Sequence, residues 1–257
     1  MKIGFSGNIT YLKTLDSIGY ELLEVGVPQV SSLTDEEFHQ LKQNIADGRI
    51  DVVSCNMLMS ASVLLPLYED QDLACSTAYL ERVMPILADL GIKMVVFGSG
   101  RFRKMPAGTP SELEHDLVSR YLTMAESLAR RYNMLLLIEP LNLKETNVIR
   151  TTKDAVDYIR ELNLPNLKLV VDLYHFWQEG EPMERILEYK DYIQHVHIAE
   201  PTKRDFLMPD DAYDYKLFFE ALNAIGYDGA VIFEGGKSDF DAGIRSSYHV
   251  LRQLVKK

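Results

Sequence analysis

The sequence predicts an α/β chain closed into a single (β/α)8 barrel over residues 1–257. Three observations predict it. Short runs rich in Val, Ile and Leu recur along the chain, the pattern of parallel strands buried on both faces, and stretches of helical periodicity separate them. Neither a linker nor a low-complexity tract interrupts this alternation, so right-handed closure of eight β-then-α units follows naturally. Finally, four of the runs stop on a residue able to bind a metal: LLLIEPLN on Glu139, LVVDLYH on Asp172, QHVHIAE on His197 and VIFEGG on Glu234. The C-terminal strand ends of a parallel barrel converge on one rim, which would gather these four into one pocket. A doubly wound sheet competes, but its Gly-rich first βα turn is missing, since the turn after Gly7 is not G-x-G-x-x-G.

The elements follow in order. IGFSG at 3–7 is the first strand, followed by a helical pattern over 12–18. ELLEVG at 21–26 is the second, and the Thr34-x-x-Glu37 spacing marks a capping box at the start of the next helix. IDVVSC at 50–55 is the third strand and leads into a long loop over 56–72. A helix over 73–90 carries Pro85, expected to kink it, and closes on Gly91. IKMVVFGSG at 92–100 is the fourth strand, with Arg101, Arg103 and Lys104 behind it. Thr109, Pro110 and Glu112 read as cap, first-turn proline and capping-box acid of a helix reaching about Arg131. NMLLLIEPLN at 133–142 is the fifth strand, 151–161 a helix, and LKLVVDLYH at 167–175 the sixth strand. A short helix over 182–189, the strand YIQHVHIAE at 192–200 and a helix over 215–225 come next. GAVIFEGG at 229–236 is the eighth strand and 242–255 the last helix.

Composition narrows the function. The chain of 257 residues is 47% hydrophobic, enough for a full core in one domain. The net charge of −11 argues against a nucleic-acid groove, which needs a basic face. Two cysteines, Cys55 and Cys75, build no disulfide framework and point to a reducing compartment. Cys55 lies in an apolar run and reads as a buried thiol. No signal peptide and no apolar run of spanning length is evident, so a cytoplasmic location with no membrane partner is expected.

Three carboxylates and one imidazole make a hard, oxygen-rich donor set. It suits Mn²⁺ or Mg²⁺, and less clearly Co²⁺ or Zn²⁺. Four protein ligands leave positions that two adjacent substrate oxygens can fill. Charge stabilisation of an enediolate would follow, with Glu139 and Glu234 as the acid/base pair. Two bases on opposite faces give epimerisation; one base serving neighbouring carbons gives aldose–ketose isomerisation. Any single acid at a strand end reads equally well as a solvated rim residue or a helix cap, and the weight comes from four on successive strands. His195 and His197 share a strand face; His197, nearer the rim, is the candidate ligand and His195 a core histidine with a hydrogen-bond partner. His39, His115 and His249 fall on helical patterns as surface residues.

These residues resemble the xylose isomerase-like TIM barrel superfamily, the sugar phosphate isomerase/epimerase group that includes ketose 3-epimerases. The resemblance covers essentially the whole chain. IEPLNLKET resembles the fifth-strand motif, which implies Glu139 as ligand and base and Glu145 as a substrate contact. VVDLYH resembles the sixth-strand motif, implying Asp172 as ligand and His175 as a substrate contact. HVHIAE, VIFEGG and VVFGSG resemble the seventh-, eighth- and fourth-strand signatures, with His197 and Glu234 as ligands. Arg204, one residue further along than in the ketose epimerases, is the candidate for the family's substrate-binding arginine. The resemblance implies a metal-dependent isomerase or epimerase acting on a small sugar or polyol, and the donor set puts Mn²⁺ first among the metals. A homodimer or homotetramer stays open.

Other readings are an inosose-type dehydratase on the same metal, an endonuclease IV-like hydrolase, a Schiff-base aldolase and a non-catalytic sugar-binding barrel. The hydrolase lacks its extra histidines here, since none lies between His39 and His115. The aldolase needs a lysine at a C-terminal strand end, whereas Lys93 and Lys168 open their strands. A phosphorylated substrate would use Gly98, Ser99, Gly100, Gly235 and Gly236 with Arg101, Arg103 and Lys104; otherwise the glycines give room and the charges are solvated. The loop over 56–72, with Leu64, Leu65, Pro66 and Tyr68, reads as a lid or a subunit contact. Phe176 and Trp177 read as pocket wall or core filling.

Overall fold

The computed structural model describes residues 1–60 and 65–255. Eight parallel strands close on themselves in sequence order: β1 Lys2–Ser6, β2 Leu22–Gly26, β3 Asp51–Asn56, β4 Met94–Phe97, β5 Leu135–Ile138, β6 Leu167–Asp172, β7 Ile193–Ile198 and β8 Ala230–Phe233. Outside them lie α1 Leu12–Ile18, α2 Val27–Ser31, α3 Asp35–Asp47, α4 Ala74–Leu90, α5 Gly100–Arg103 and α6 Ser111–Arg131. The others among the described residues are α7 Thr152–Leu162, α8 Leu173–Gln178, α9 Glu184–Glu188, α10 Tyr215–Ala224 and α11 Phe240–Val255, with a 3-10 turn over Ile9–Tyr11. The (β/α)8 expectation holds. Among the described residues, no helix is long and apolar enough to cross a membrane.

Local chemistry sets the helix ends. Thr34 and Glu37 form the expected reciprocal cap on α3, and Thr151 with Asp154 forms a second on α7. Gly91 takes a left-handed φ of 96° to close α4. The start of α6 differs from expectation: Pro110 occupies the cap position without a side-chain bond, and Thr109 donates its hydroxyl back to the Pro106 carbonyl instead. Thr109 is thereby withdrawn from capping. The helices α2, α5 and α8 were not anticipated, since each is too short to show a period.

Alternation along the strands decides what enters the barrel. Leu23 and Val25 pack outward into the main core beneath the helices, while Leu22, Ala230 and Ile232 form a separate cluster. Val96, Leu137 and Val170 form another. Side chains two apart share a strand face, so Glu24, Glu139, Asp172 and Glu234 fall on the same inner side as Leu22, Leu137, Val170 and Ile232. Strand register pairs Asp172 of β6 directly with His197 of β7.

Candidate metal centre and active site

The four residues singled out from strand ends meet. Glu139, Asp172, His197 and Glu234 each offer an atom within one group spanning no more than 4.8 Å between ligand atoms. His197 Nδ1 lies 2.9 Å from Glu139 Oε1 and 3.2 Å from Glu234 Oε2. Asp172 divides its labour. Its Oδ1 accepts from the Tyr174 N–H at 2.8 Å and caps α8, while its Oδ2 is buried without a hydrogen-bond partner.

Burial and mutual repulsion strain this cluster. Burial lifts the Glu139 carboxyl above its usual range, and the Glu234 charge lifts it further. Asp172 is pushed up to about 7 by burial and by its carboxylate neighbours, against the pull of Arg204. Burial also works against the Glu234 carboxylate, but Arg204 and His197 outweigh it and hold this group at about 2. Burial disfavours an imidazolium at His197, yet the carboxylates of Glu24, Glu139 and Glu234 raise it well above its ordinary value. A crowd of buried acids with an unpartnered Asp172 oxygen is what a hard divalent cation relieves. The oxygen-rich donor set fits such an ion.

The flanking residues also converge. Arg204 donates through Nη1 to Glu145 Oε1 at 3.0 Å and through Nη2 to Glu234 Oε2 at 3.1 Å, and its guanidinium lies over the Tyr174 ring. Its backbone takes a left-handed φ of 57°, held by a 2.8 Å bond from its N–H to the Glu200 carbonyl. His175 Nδ1 accepts from the Asn142 backbone N–H at 3.1 Å, so its proton sits on Nε2, 3.6 Å from Asp172 Oδ2. Burial drives the His175 imidazole down to about 3, with the Arg204 charge adding to it, which keeps the ring neutral.

Two adjoining hollows of about 520 and 410 Å³ share Asn56, Met57, Arg204 and Glu234. Glu139 and Glu145 line the second, with Gly98. A Cβ on Gly98 would lie 2.2 Å from Glu139 Oε2, so only glycine lets this carboxylate stand where it does.

A sequence profile of the xylose isomerase-like TIM barrel family matches residues 12–254. The chain belongs to that family. Among the relatives of this family member, it is 32% identical over 163 residues to a 3-dehydro-D-guloside 4-epimerase from Escherichia coli strain K12, covering 61% of this chain and 62% of that protein. It is 34% identical over 164 residues to a ketose 3-epimerase from Arthrobacter globiformis, covering 62% of this chain and 55% of the relative. The match thus spans little more than half the length of these relatives. A D-psicose 3-epimerase structure from Clostridium cellulolyticum H10 superposes with a TM-score of 0.87 over 99% of both chains at 17% identity, a likeness of fold.

Some expectations for this xylose isomerase-like barrel hold and others need correction. Arg103 is neither solvated nor turned to a ligand: it is 0% exposed and grips the carbonyls of Phe97, Glu139 and Ile149 at 3.0, 2.8 and 3.3 Å. Arg101 and Lys104 are exposed, and Arg101 borders the second hollow. Phe176 is core, whereas Trp177 stands on the surface. In the 56–72 loop, Leu67 is buried and donates to the Phe102 carbonyl, Leu65 is exposed, and Leu64 lies outside the described residues. His195 has the expected partner in Glu24, at 2.8 Å. Cys55 is buried, which pushes its thiol up.

Sequence reasoning missed Glu24 and Asn56. Asn56 Nδ2 donates to Glu234 Oε1 at 2.7 Å from the end of β3. A carboxylate inside the apolar run LLEVG was a visible signal for Glu24, because an unpaired buried charge is costly. Asn56 offered none beyond its place at a strand end.

Proposed function

We propose that the protein is a metal-dependent sugar epimerase or isomerase that moves a proton on a keto-sugar or related polyol through an enediolate. The convergence of Glu139 and Glu234 on Asp172 and His197, with both glutamates lining a substrate-sized hollow, carries this reading. The names of the relatives, a ketose 3-epimerase and a guloside 4-epimerase, support the sugar class. We read residues 1–257 as one domain acting in the cytoplasm without a nucleic-acid or membrane partner.

Glu139, Asp172, His197 and Glu234 would hold a divalent cation, Mn²⁺ foremost. Once bound, such an ion supplies Lewis-acid polarisation of neighbouring substrate oxygens. The protein's own groups do the rest. Glu139 and Glu234 act as the acid/base pair, one taking the proton from carbon and the other returning it. His175 presents Nε2–H to a substrate oxygen, its tautomer fixed by the Asn142 N–H. Arg204 and Glu145, already bonded to one another, bind hydroxyls at the mouth and orient the sugar against Glu234.

The test is incubation of the Mn²⁺-loaded protein with a panel of keto-sugars in deuterium oxide. Solvent deuterium at one carbon of the recovered sugar and its epimer or isomer is the expected result. A dehydrated product would assign the chain to the lyases instead. Metal binding without exchange on any keto-sugar would leave a binding barrel and overturn the proposal.

A further inference from the structure

Beneath the four-residue cluster lies a second group that the reaction does not use directly. Glu24, His195 and His197 are all fully buried inside the barrel. Glu24 Oε2 lies 2.8 Å from His195 Nε2, and Glu24 Oε1 lies 3.1 Å from His197 Nε2. The first is a hydrogen bond; the second pair is within 3.1 Å, and neither of its two atoms has a hydrogen-bond partner elsewhere. Beside Glu24 on its inner face is Leu22, packed with Ala230 and Ile232.

We propose that Glu24 is the positioning residue of the metal centre, holding the His197 ring from below so that Nδ1 faces Glu139, Asp172 and Glu234. The inference rests on the metal reading given above and names a residue that reading leaves out. His197 has one nitrogen committed upward, 2.9 Å from Glu139 Oε1. An imidazole that offers a lone pair on one nitrogen carries its proton on the other, and a carboxylate accepting that proton fixes the tautomer and strengthens the donor. Glu24 Oε1 is the acceptor in reach. His195 completes the arrangement by anchoring the other carboxylate oxygen, which explains a second histidine on the same strand face.

The same three residues also sit close enough to bind an ion of their own. That arrangement would require His197 to give up both ring protons and bridge two cations. It would also place one of those cations in a sealed layer above Leu22 and Ile232. The positioning role needs neither.

Calorimetric titration with Mn²⁺ separates the possibilities. The parent protein should bind one ion per chain. Glu24→Gln should remain folded and bind it about 10–100-fold more weakly, the usual cost of removing such a support. Glu145→Gln, which removes a carboxylate near the site without touching His197, should change affinity far less. Equal affinity in Glu24→Gln and parent overturns the positioning role while leaving the metal reading intact. Two ions per parent chain overturn it in favour of a second site. No Mn²⁺ uptake by the parent overturns the metal reading and this inference with it. If Glu24→Gln fails to fold, His195→Gln takes its place: freeing one Glu24 oxygen should also weaken binding, and undiminished affinity counts against the proposal.

Discussion

Arg204 Nη2 lies 3.1 Å from Glu234 Oε2, so the guanidinium that faces the hollow also clamps a member of the acid cluster. Arg204 takes a left-handed backbone conformation, and its side chain reaches both Glu145 and Glu234. Replacing Arg204 by Met should lower kcat by about 100-fold and raise KM, since it removes a fixed donor from the reacting region. Arg204→Lys should recover little, because one ammonium cannot span Glu145 and Glu234 together. Steady-state kinetics on an accepted keto-sugar would check this.

Glu139→Gln and Glu234→Gln should each reduce turnover by about 100- to 10,000-fold, the range for loss of a general acid or base. Deuterium uptake into recovered sugar should fall in parallel. Exchange at the parental rate in either variant would remove that residue from the proton path.

Chelation should abolish activity and lower the melting temperature. Three clustered carboxylates repel without a cation, so an ion that binds the folded chain stabilises it, by about 2.7 kcal/mol at a free concentration 100 times its Kd. Differential scanning calorimetry with and without chelator, then with Mn²⁺ restored, would measure the shift.

Arg103→Met should destabilise the fold by about 3 kcal/mol, because carbonyls of Phe97, Glu139 and Ile149 lose a charged donor in a dry interior. Urea denaturation gives the difference. The residual activity of the folded fraction should also fall, since Arg103 holds the backbone of Glu139.

Acid sensitivity should report on Asp205. Its slight burial opposes ionisation, but backbone N–H groups of Lys237, Phe206 and Ser238 and the Ser238 hydroxyl outweigh it and hold the carboxyl at about 2. The unfolded value is about 3.9. A depressed acid contributes stability that is full above the unfolded value and is lost as pH falls from about 4 toward about 2. Asp205→Asn should flatten that part of the stability–pH curve, read by thermal melts across acidic buffers.

Much of this was legible in the sequence because it is local. Eight apolar runs, the Thr34–Glu37 and Thr151 helix starts and the glycine stop at Gly91 each follow from a few neighbouring residues. Arg103 was misread for the opposite reason. A guanidinium is stable in a dry core only if several acceptors surround it, and its three carbonyls come from separate segments. Thr109 failed as a cap because its hydroxyl found the Pro106 carbonyl first. Glu24 could have been suspected from its apolar run, but its partners lie on the far side of the barrel.

The amino-acid order by itself determined which residues could enter the barrel, since period-two alternation places Glu139, Asp172, His197 and Glu234 on the inner face at strand ends. Only the tertiary structure decided which atoms meet: His197 Nδ1 against Glu139, Nε2 against Glu24, Arg204 across Glu145 and Glu234. The physical reason is that strand register and barrel closure fix the distances between remote residues. A one-residue slip of β7 would carry both histidines out of the barrel without altering a single letter of the sequence.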